Sequence, residues 1–120
     1  MDWHWKHFAL VALGGGAGSA LRAYLSQLLR NGFPWGTFLV NVIGCFLIGL
    51  LMSELEDDQM NMRLLLVSGF CGGFTTFSAF GSETFTLFRQ EQMGIGLGYV
   101  ALTLFSCLAA VALGHLITRA

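Results

Sequence analysis

Charged residues are scarce in this 120-residue chain, at 11%, whereas hydrophobic residues make up 55%. A soluble domain of this size needs a polar shell, and six basic plus seven acidic residues supply little of one. The net charge of −1, with no basic stripe, excludes a nucleic-acid partner. The composition therefore predicts an all-α membrane protein, in contact with membrane lipid, with a single transmembrane domain over residues 1–120.

Cysteine is also sparse, and its spacing excludes a disulfide framework. Cys45, Cys71 and Cys107 lie far apart, form no C-x-x-C pair and are odd in number. We interpret all three as small side chains buried in apolar stretches. The three histidines lie near the two ends of the chain, and no metal-ligand or catalytic constellation accompanies them. The sequence therefore does not predict an enzyme.

Four apolar segments separated by short connections indicate four transmembrane helices. Each has about the ~20 residues that cross the hydrocarbon core of a bilayer. Basic residues flank the two predicted membrane faces in nearly equal numbers, so an antiparallel, dual-topology homodimer is one expected assembly. Sixteen glycines, most of them within the segments, favour close helix packing. The predicted spans are residues 5–29, 35–53, 63–88 and 94–117.

The third span contains residues that suit an uninterrupted helix poorly. Gly72-Gly73 followed by Thr75-Thr76 predicts a break near its middle. Non-helical backbone at this depth persists only where protein buries it or a polar cavity hydrates it. Carbonyl groups freed by a break are natural ligands for a monovalent cation. The alternative, a close-packing patch within a continuous helix, stays open at this point.

Polar residues within a span are costly and therefore informative. Asn41 lies in the second span, where an amide that bonds neighbouring helices and an amide that lines a pore are equally favoured. Arg22 lies beyond a glycine patch in the first span, and we interpret it as a structural anchor rather than an ion contact.

Two further sets of side chains indicate a route for an anion. Phe77 and Phe80 share one helical face, and aromatic ring edges carry partial positive charge. Tyr99, Thr103 and Cys107 follow at intervals of four residues in the last span, so their polar groups form a line. Singly these residues also fit helix packing. Together with Asn41 they predict a polar track.

Three motifs in this chain resemble those of the small CrcB/Fluc fluoride channels, over essentially the whole length. The third motif is long and highly specific. The motifs are residues 14–18 (GGGAG) with Arg22, residues 36–41 (GTFLVN), and residues 69–80 (GFCGGFTTFSAF) with Glu83.

The resemblance implies a fluoride-selective channel that exports cytoplasmic fluoride passively through the cell inner membrane. It implies an antiparallel homodimer with two pores and a structural sodium ion at the dimer centre, held by the main-chain carbonyls of Gly72 and Thr75. Arg22 and Glu83 are expected to be structural. By motif position the implied pore residues are Asn41, Thr76, Phe77, Ser78, Phe80, Tyr99 and Thr103.

The chain departs from the family pattern near the end of the polar track. Cys107 and Val111 stand where some members have serine and threonine, which predicts a weaker outer track. Ala79 replaces a frequent threonine, and we expect little effect from that change.

Two other functions are compatible with four short spans. A proton-coupled exporter of the small multidrug-resistance type needs a carboxylate in the membrane, typically in the middle of the first helix. The first span has none, and Glu83 lies toward the end of the third. The second alternative is a packing subunit that transports nothing itself.

Overall fold

The computed structural model describes residues 3–29, 32–56 and 58–119, except for the side chain of Arg119. The described chain is helical, and four of its segments are long and apolar enough to cross a membrane. The four-span prediction is therefore confirmed, with limits close to those predicted. The helices are α1 (Trp5–Leu28), α2 (Trp35–Glu54), α3 (residues 60–74), α4 (Phe77–Arg89) and α5 (Met93–Arg119).

The third span consists of α3 and α4, joined by a two-residue break. Thr75 (φ −84°, ψ 157°) and Thr76 (φ −149°, ψ 115°) are extended, whereas Gly72 and Gly73 are still helical. The predicted break is confirmed and lies at the threonines, which as β-branched residues suit extended backbone. Thr76 also caps α4, because its Oγ1 accepts a hydrogen bond from the amide of Ala79 at 3.1 Å. A continuous helix is excluded.

Before the break, α3 is wound more loosely than an ordinary α-helix. It starts with the α-helical turn Met60–Arg63, continues as a π-helical stretch over Leu64–Cys71, and ends with the turn Gly72–Phe74. π-Helical turns are rare and are frequently found at functional sites. Here this stretch leads directly to the break.

Helix α1 packs against α3 with their backbones in direct contact. A Cβ atom on Gly14 would collide with the carbonyl oxygen of Leu65, and one on Gly18 with that of Phe70. Only glycine permits this approach, as in other membrane helix pairs with small residues at the interface. The glycine motif of the first span thus positions the helix that carries the break.

Helices α2 and α5 run parallel with a fixed register. A Cβ atom on Gly49 would collide with the carbonyl oxygen of Val111, 62 residues later in the chain. Ser53 Oγ and His115 Nδ1, also 62 residues apart, form a hydrogen bond one turn further on. The same spacing of 62 residues places Asn41 beside Thr103, and both line one cavity.

The turn between α4 and α5 ends α4 with a Schellman motif. The amide of Glu91 donates to the carbonyl of Phe88 at 3.1 Å, and the amide of Gln92 donates to that of Leu87 at 2.9 Å. This geometry requires a left-handed residue, and Glu91 has φ 59°. Glycine is the usual residue at this position, so the turn contains modest backbone strain.

Candidate functional site

A cavity of about 310 Å³ lies between α2, the break, α4 and α5. Much of its remaining wall is aliphatic, including Ile48, Leu104 and Leu108. The structure thus brings together residues predicted from three separate spans. The predicted residues that line the cavity are Asn41, Thr75, Thr76, Phe77, Phe80 and Thr103.

Asn41 pairs with the broken backbone through both ends of its amide. Its Oδ1 accepts a hydrogen bond from the amide of Thr76 at 2.7 Å, and its Nδ2 donates to the carbonyl of Thr76 at 3.1 Å. The extended backbone therefore receives from α2 the partners that a helix would supply internally. The Nδ2 group carries a second N–H with no partner among the described residues, and the Asn41 side chain lines the cavity. Asn41 thus braces the break and lines the cavity, which joins both interpretations made from the sequence.

Arg22 lies against the break from the side of α1. Its Nε donates to the carbonyl of Gly73 at 3.1 Å, and Ser19 Oγ donates to the same oxygen at 3.4 Å. In a continuous helix this carbonyl would accept from the amide of Phe77, and the break removes that partner. This contact joins α1 to the break, and the structural role of Arg22 stays a prediction. Sequence reasoning missed Ser19, although it lies close to Arg22 on the same helix.

Two other carbonyls beside the break have no such partner. No hydrogen bond from the described residues reaches the carbonyl oxygen of Gly72 or of Thr75. The Thr75 hydroxyl turns back to donate to the carbonyl of Cys71 at 2.9 Å. The carbonyl groups of Gly72 and Thr75 are the two for which the family resemblance implies a cation. Its donor chemistry fits a hard monovalent ion such as sodium.

The two predicted pore phenylalanines differ in exposure. Phe80 is 7% exposed and packs between Phe77, at a ring-centroid distance of 5.5 Å, and Tyr99, at 5.1 Å. Phe77 is 80% exposed in the single chain. The three rings form a row that begins at the surface of the chain and ends in its core, with Phe80 on the cavity wall.

Tyr99 and Ser78 do not line the cavity. Tyr99 is fully buried behind Phe80, and its hydroxyl donates to Glu83 Oε1 at 3.4 Å. Glu83 lies beside a separate cavity of about 80 Å³, which Thr37 also lines. Ser78 is exposed, with its Oγ 3.3 Å from Thr76 Oγ1. Of the polar groups predicted to form a line along the last span, Thr103 and Cys107 therefore line the cavity and Tyr99 does not.

Thr103 has an unusual hydroxyl group. Within the described chain, its Oγ1 is the one buried side-chain oxygen or nitrogen without a hydrogen-bond partner. Threonines in helices commonly donate to the carbonyl four residues earlier, and four others here do so. They are Thr75, Thr84, Thr86 and Thr118. Thr103 is 6% exposed and lines the cavity, so its hydroxyl is a buried donor without an acceptor.

Cys45 and Cys107 also line the cavity. Sequence reasoning interpreted both as packing residues and placed Cys107 in the polar track as well, but it did not bring the two cysteines together. The available signal was their spacing. Cys45 lies four residues after Asn41, and Cys107 lies four residues after Thr103, so each shares a helical face with a predicted pore residue.

These features define a small four-span membrane protein whose broken third span borders a cavity with few, specifically placed polar groups. The model of the family described as CrcB-like protein, Camphor Resistance (CrcB), matches residues 9–115. This chain belongs to that family.

Curated relatives agree with this assignment along most of the chain. A protein of Rhizobium johnstonii is 45% identical over 118 residues, which cover 92% of this chain and 94% of that protein. A protein of Rhizobium etli is 46% identical with the same coverage. One from Gloeothece citriformis is 44% identical over 117 residues, covering 92% of this chain and 95% of that protein. All three are named fluoride-specific ion channel FluC.

Proposed function

We propose that this chain forms a passive, fluoride-selective channel that exports fluoride across the cell inner membrane. The unpartnered hydroxyl of Thr103 is the observation that carries the proposal. A buried donor without an acceptor costs free energy of about 1–3 kcal/mol. A ligand that accepts a hydrogen bond in the cavity offsets this cost, and fluoride is such a ligand. The names of the relatives support the same ion.

Fluoride has only lone pairs to offer, so its hydration is replaced by donors. The cavity presents the Thr103 hydroxyl and the free N–H of Asn41, with the ring edge of Phe80 beside them. The aliphatic remainder of the wall binds the ion little. The donors make entry of the ion favourable, and because they are few and carry no full positive charge, the ion can also leave, as conduction requires.

The active unit in this proposal is an antiparallel homodimer. Gly72, Phe77 and Ser78, beside the break, are exposed in the single chain. Lipid cannot satisfy polar backbone at this depth, so a second protein surface must cover it. A second copy of the same chain would do so. Cross-linking of the purified protein in lipid should give a covalent dimer, and a persistent monomer that still conducts would contradict the proposal.

A sodium ion at the centre of the dimer is part of the same proposal. The carbonyls of Gly72 and Thr75 would hold it, and one chain supplies too few ligands to replace an ion's hydration shell. Two copies supply twice as many. When bound, sodium would supply positive charge that stabilises the assembled break. Purification with a large organic cation in place of sodium should reduce fluoride flux, and sodium should restore it. Full flux without sodium would argue against this site.

The two alternative functions have less support. An exporter coupled to protons needs a carboxylate in the transport path, and none of the described residues that line the main cavity is acidic. Glu83 lies by the smaller cavity and bonds to Tyr99. A packing subunit would not conduct by itself. Flux through the purified protein alone therefore separates the channel from both alternatives.

The decisive experiment is fluoride efflux from liposomes, followed with a fluoride electrode and compared with chloride. Thr103→Val removes the unpartnered hydroxyl with little change in shape, and we expect flux to fall at least about tenfold, the equivalent of 1.4 kcal/mol. Thr84→Val is the matched control. Thr84 is also buried, but its hydroxyl donates to the carbonyl of Phe80 and does not line the cavity.

The control variant should retain most of its flux. Normal flux through Thr103→Val would remove Thr103 from the path. Absence of fluoride flux through the wild-type protein would refute the channel itself.

A further inference from the structure

Two cysteines from different helices meet on the wall of the main cavity. In the parallel register of α2 and α5, facing residues such as Gly49 and Val111, or Ser53 and His115, lie 62 positions apart. This register pairs Cys45 with Cys107. Both line the cavity and are partly exposed. The pair lies one helical turn beyond Asn41 and Thr103.

We propose that Cys45 and Cys107 form a two-thiol site for a soft, linearly coordinated divalent cation, of which Hg²⁺ is the type. Thiolate ligands select soft metals. The ion replaces the two thiol protons: each S–H bond breaks, two S–Hg bonds form, and two protons leave to water. No electron is transferred in this step.

The charge of the product decides which ion fits. A divalent ion with two thiolates is neutral, so the complex adds no net charge to an apolar wall. A monovalent soft ion with two thiolates would leave one negative charge there. Zn²⁺ requires about four ligands, and the described residues form no group of three or more histidine, cysteine or acidic side chains suited to a metal.

Occupation of this site should close the cavity, an effect that rests on the proposed function. The ion would lie one turn from the donors of Asn41 and Thr103, within the same 310 Å³ space. An ion with one sulfur ligand from α2 and one from α5 would lie between the two helices on the cavity wall. Fluoride that leaves the donors would then meet a barrier. The site therefore predicts inhibition that a competing thiol reverses.

Binding is tested directly on the purified protein. Titration with HgCl₂, followed by the ultraviolet absorption of the mercury–thiolate bond, should reach one ion per chain and reverse with excess dithiothreitol. Cys45→Ser and Cys107→Ser should each lose this two-sulfur, dithiothreitol-reversible phase. Cys71→Ser is the matched control, because Cys71 is fully buried and is absent from the cavity wall.

The variants also decide between thiol partners. Retention of wild-type binding by Cys107→Ser, or its loss in Cys71→Ser, would overturn the assignment, because Cys45 would then pair with Cys71 instead.

Flux supplies the second readout. After incubation with HgCl₂, wild-type protein and Cys71→Ser should lose at least about nine-tenths of their fluoride efflux, the equivalent of one factor of ten. Cys45→Ser and Cys107→Ser should keep theirs, each compared with its own untreated rate. Unchanged wild-type flux with the ion bound would overturn the placement of the site in the path. Absence of flux before treatment would refute the proposed function alone, since the titration still decides the site.

Discussion

Replacement of Asn41 by leucine should remove the brace that holds the break of the third span. Leucine has nearly the shape of asparagine but neither donates nor accepts. The amide of Thr76 loses its 2.7 Å acceptor, and its carbonyl loses a 3.1 Å donor. Helix α2 has no other described contact of this kind with the extended backbone. We therefore expect the loss of both stability and flux.

The magnitude follows from the two groups left without partners. Each buried backbone group without a partner costs about 1–3 kcal/mol. Because the break is only partly buried in the single chain, we take the lower part of that range and expect a loss of about 2–4 kcal/mol in the free energy of unfolding. Equilibrium unfolding in mixed micelles with a denaturing detergent measures this quantity. Fluoride efflux from liposomes gives the functional effect.

Two further variants calibrate the result. Thr84→Val removes one hydrogen bond within α4 and should cost about 1 kcal/mol without blocking flux. Asn41→Asp keeps the acceptor for the Thr76 amide, but its carboxylate would repel fluoride, so flux should stop. An Asn41→Leu variant as stable as wild type to within about 0.5 kcal/mol would refute the brace. Undiminished flux through either Asn41 variant would refute its place in the pore.

Two other predictions concern backbone geometry. Gly18→Ala should lower the stability and yield of the folded protein, because its Cβ collides with the backbone of Phe70. Gly16→Ala has open space around its Cβ and should be neutral or slightly stabilising. Equal loss of stability in both variants, measured by thermal unfolding in detergent, would contradict the α1–α3 contact. Glu91→Gly should stabilise the protein by up to about 1 kcal/mol in the same assay, since glycine adopts the left-handed conformation without a Cβ clash. A lower thermal midpoint for Glu91→Gly would show that this turn is not strained.

The spans and the break were predictable because each depends on local composition. Runs of apolar residues define the spans, and Thr75-Thr76 after Gly72-Gly73 identifies the break region. The exact position of the break was not predictable. It depends on Asn41 in α2, which supplies partners to Thr76, and no pattern local to the third span contains that information.

The sequence predicted which residues belong to the candidate site better than it predicted how they are arranged there. Asn41, Phe80 and Thr103 do meet at one cavity, as the polar track required. The spacing of Tyr99 and Thr103 placed both on one face of α5, yet Thr103 lines the cavity and Tyr99 lies buried against Phe80. The role of the cysteines depends on the register between α2 and α5, which glycine contacts set through backbone collisions. Such a register follows from three-dimensional packing and not from either helix alone.

The fixed register of α2 and α5 also limits how this protein can evolve. Facing residues of the two helices lie 62 positions apart, so the two members of each facing pair must be compatible in volume and chemistry. A single-residue insertion in α5 would rotate every later residue of α5 by about 100° about the helix axis, away from its partner in α2. Substitutions at one member of a facing pair should therefore be accompanied by a substitution at the other, as at Ser53 and His115. In related sequences, substitutions in α2 and α5 should therefore be coupled, even though 62 positions separate the two members of each pair.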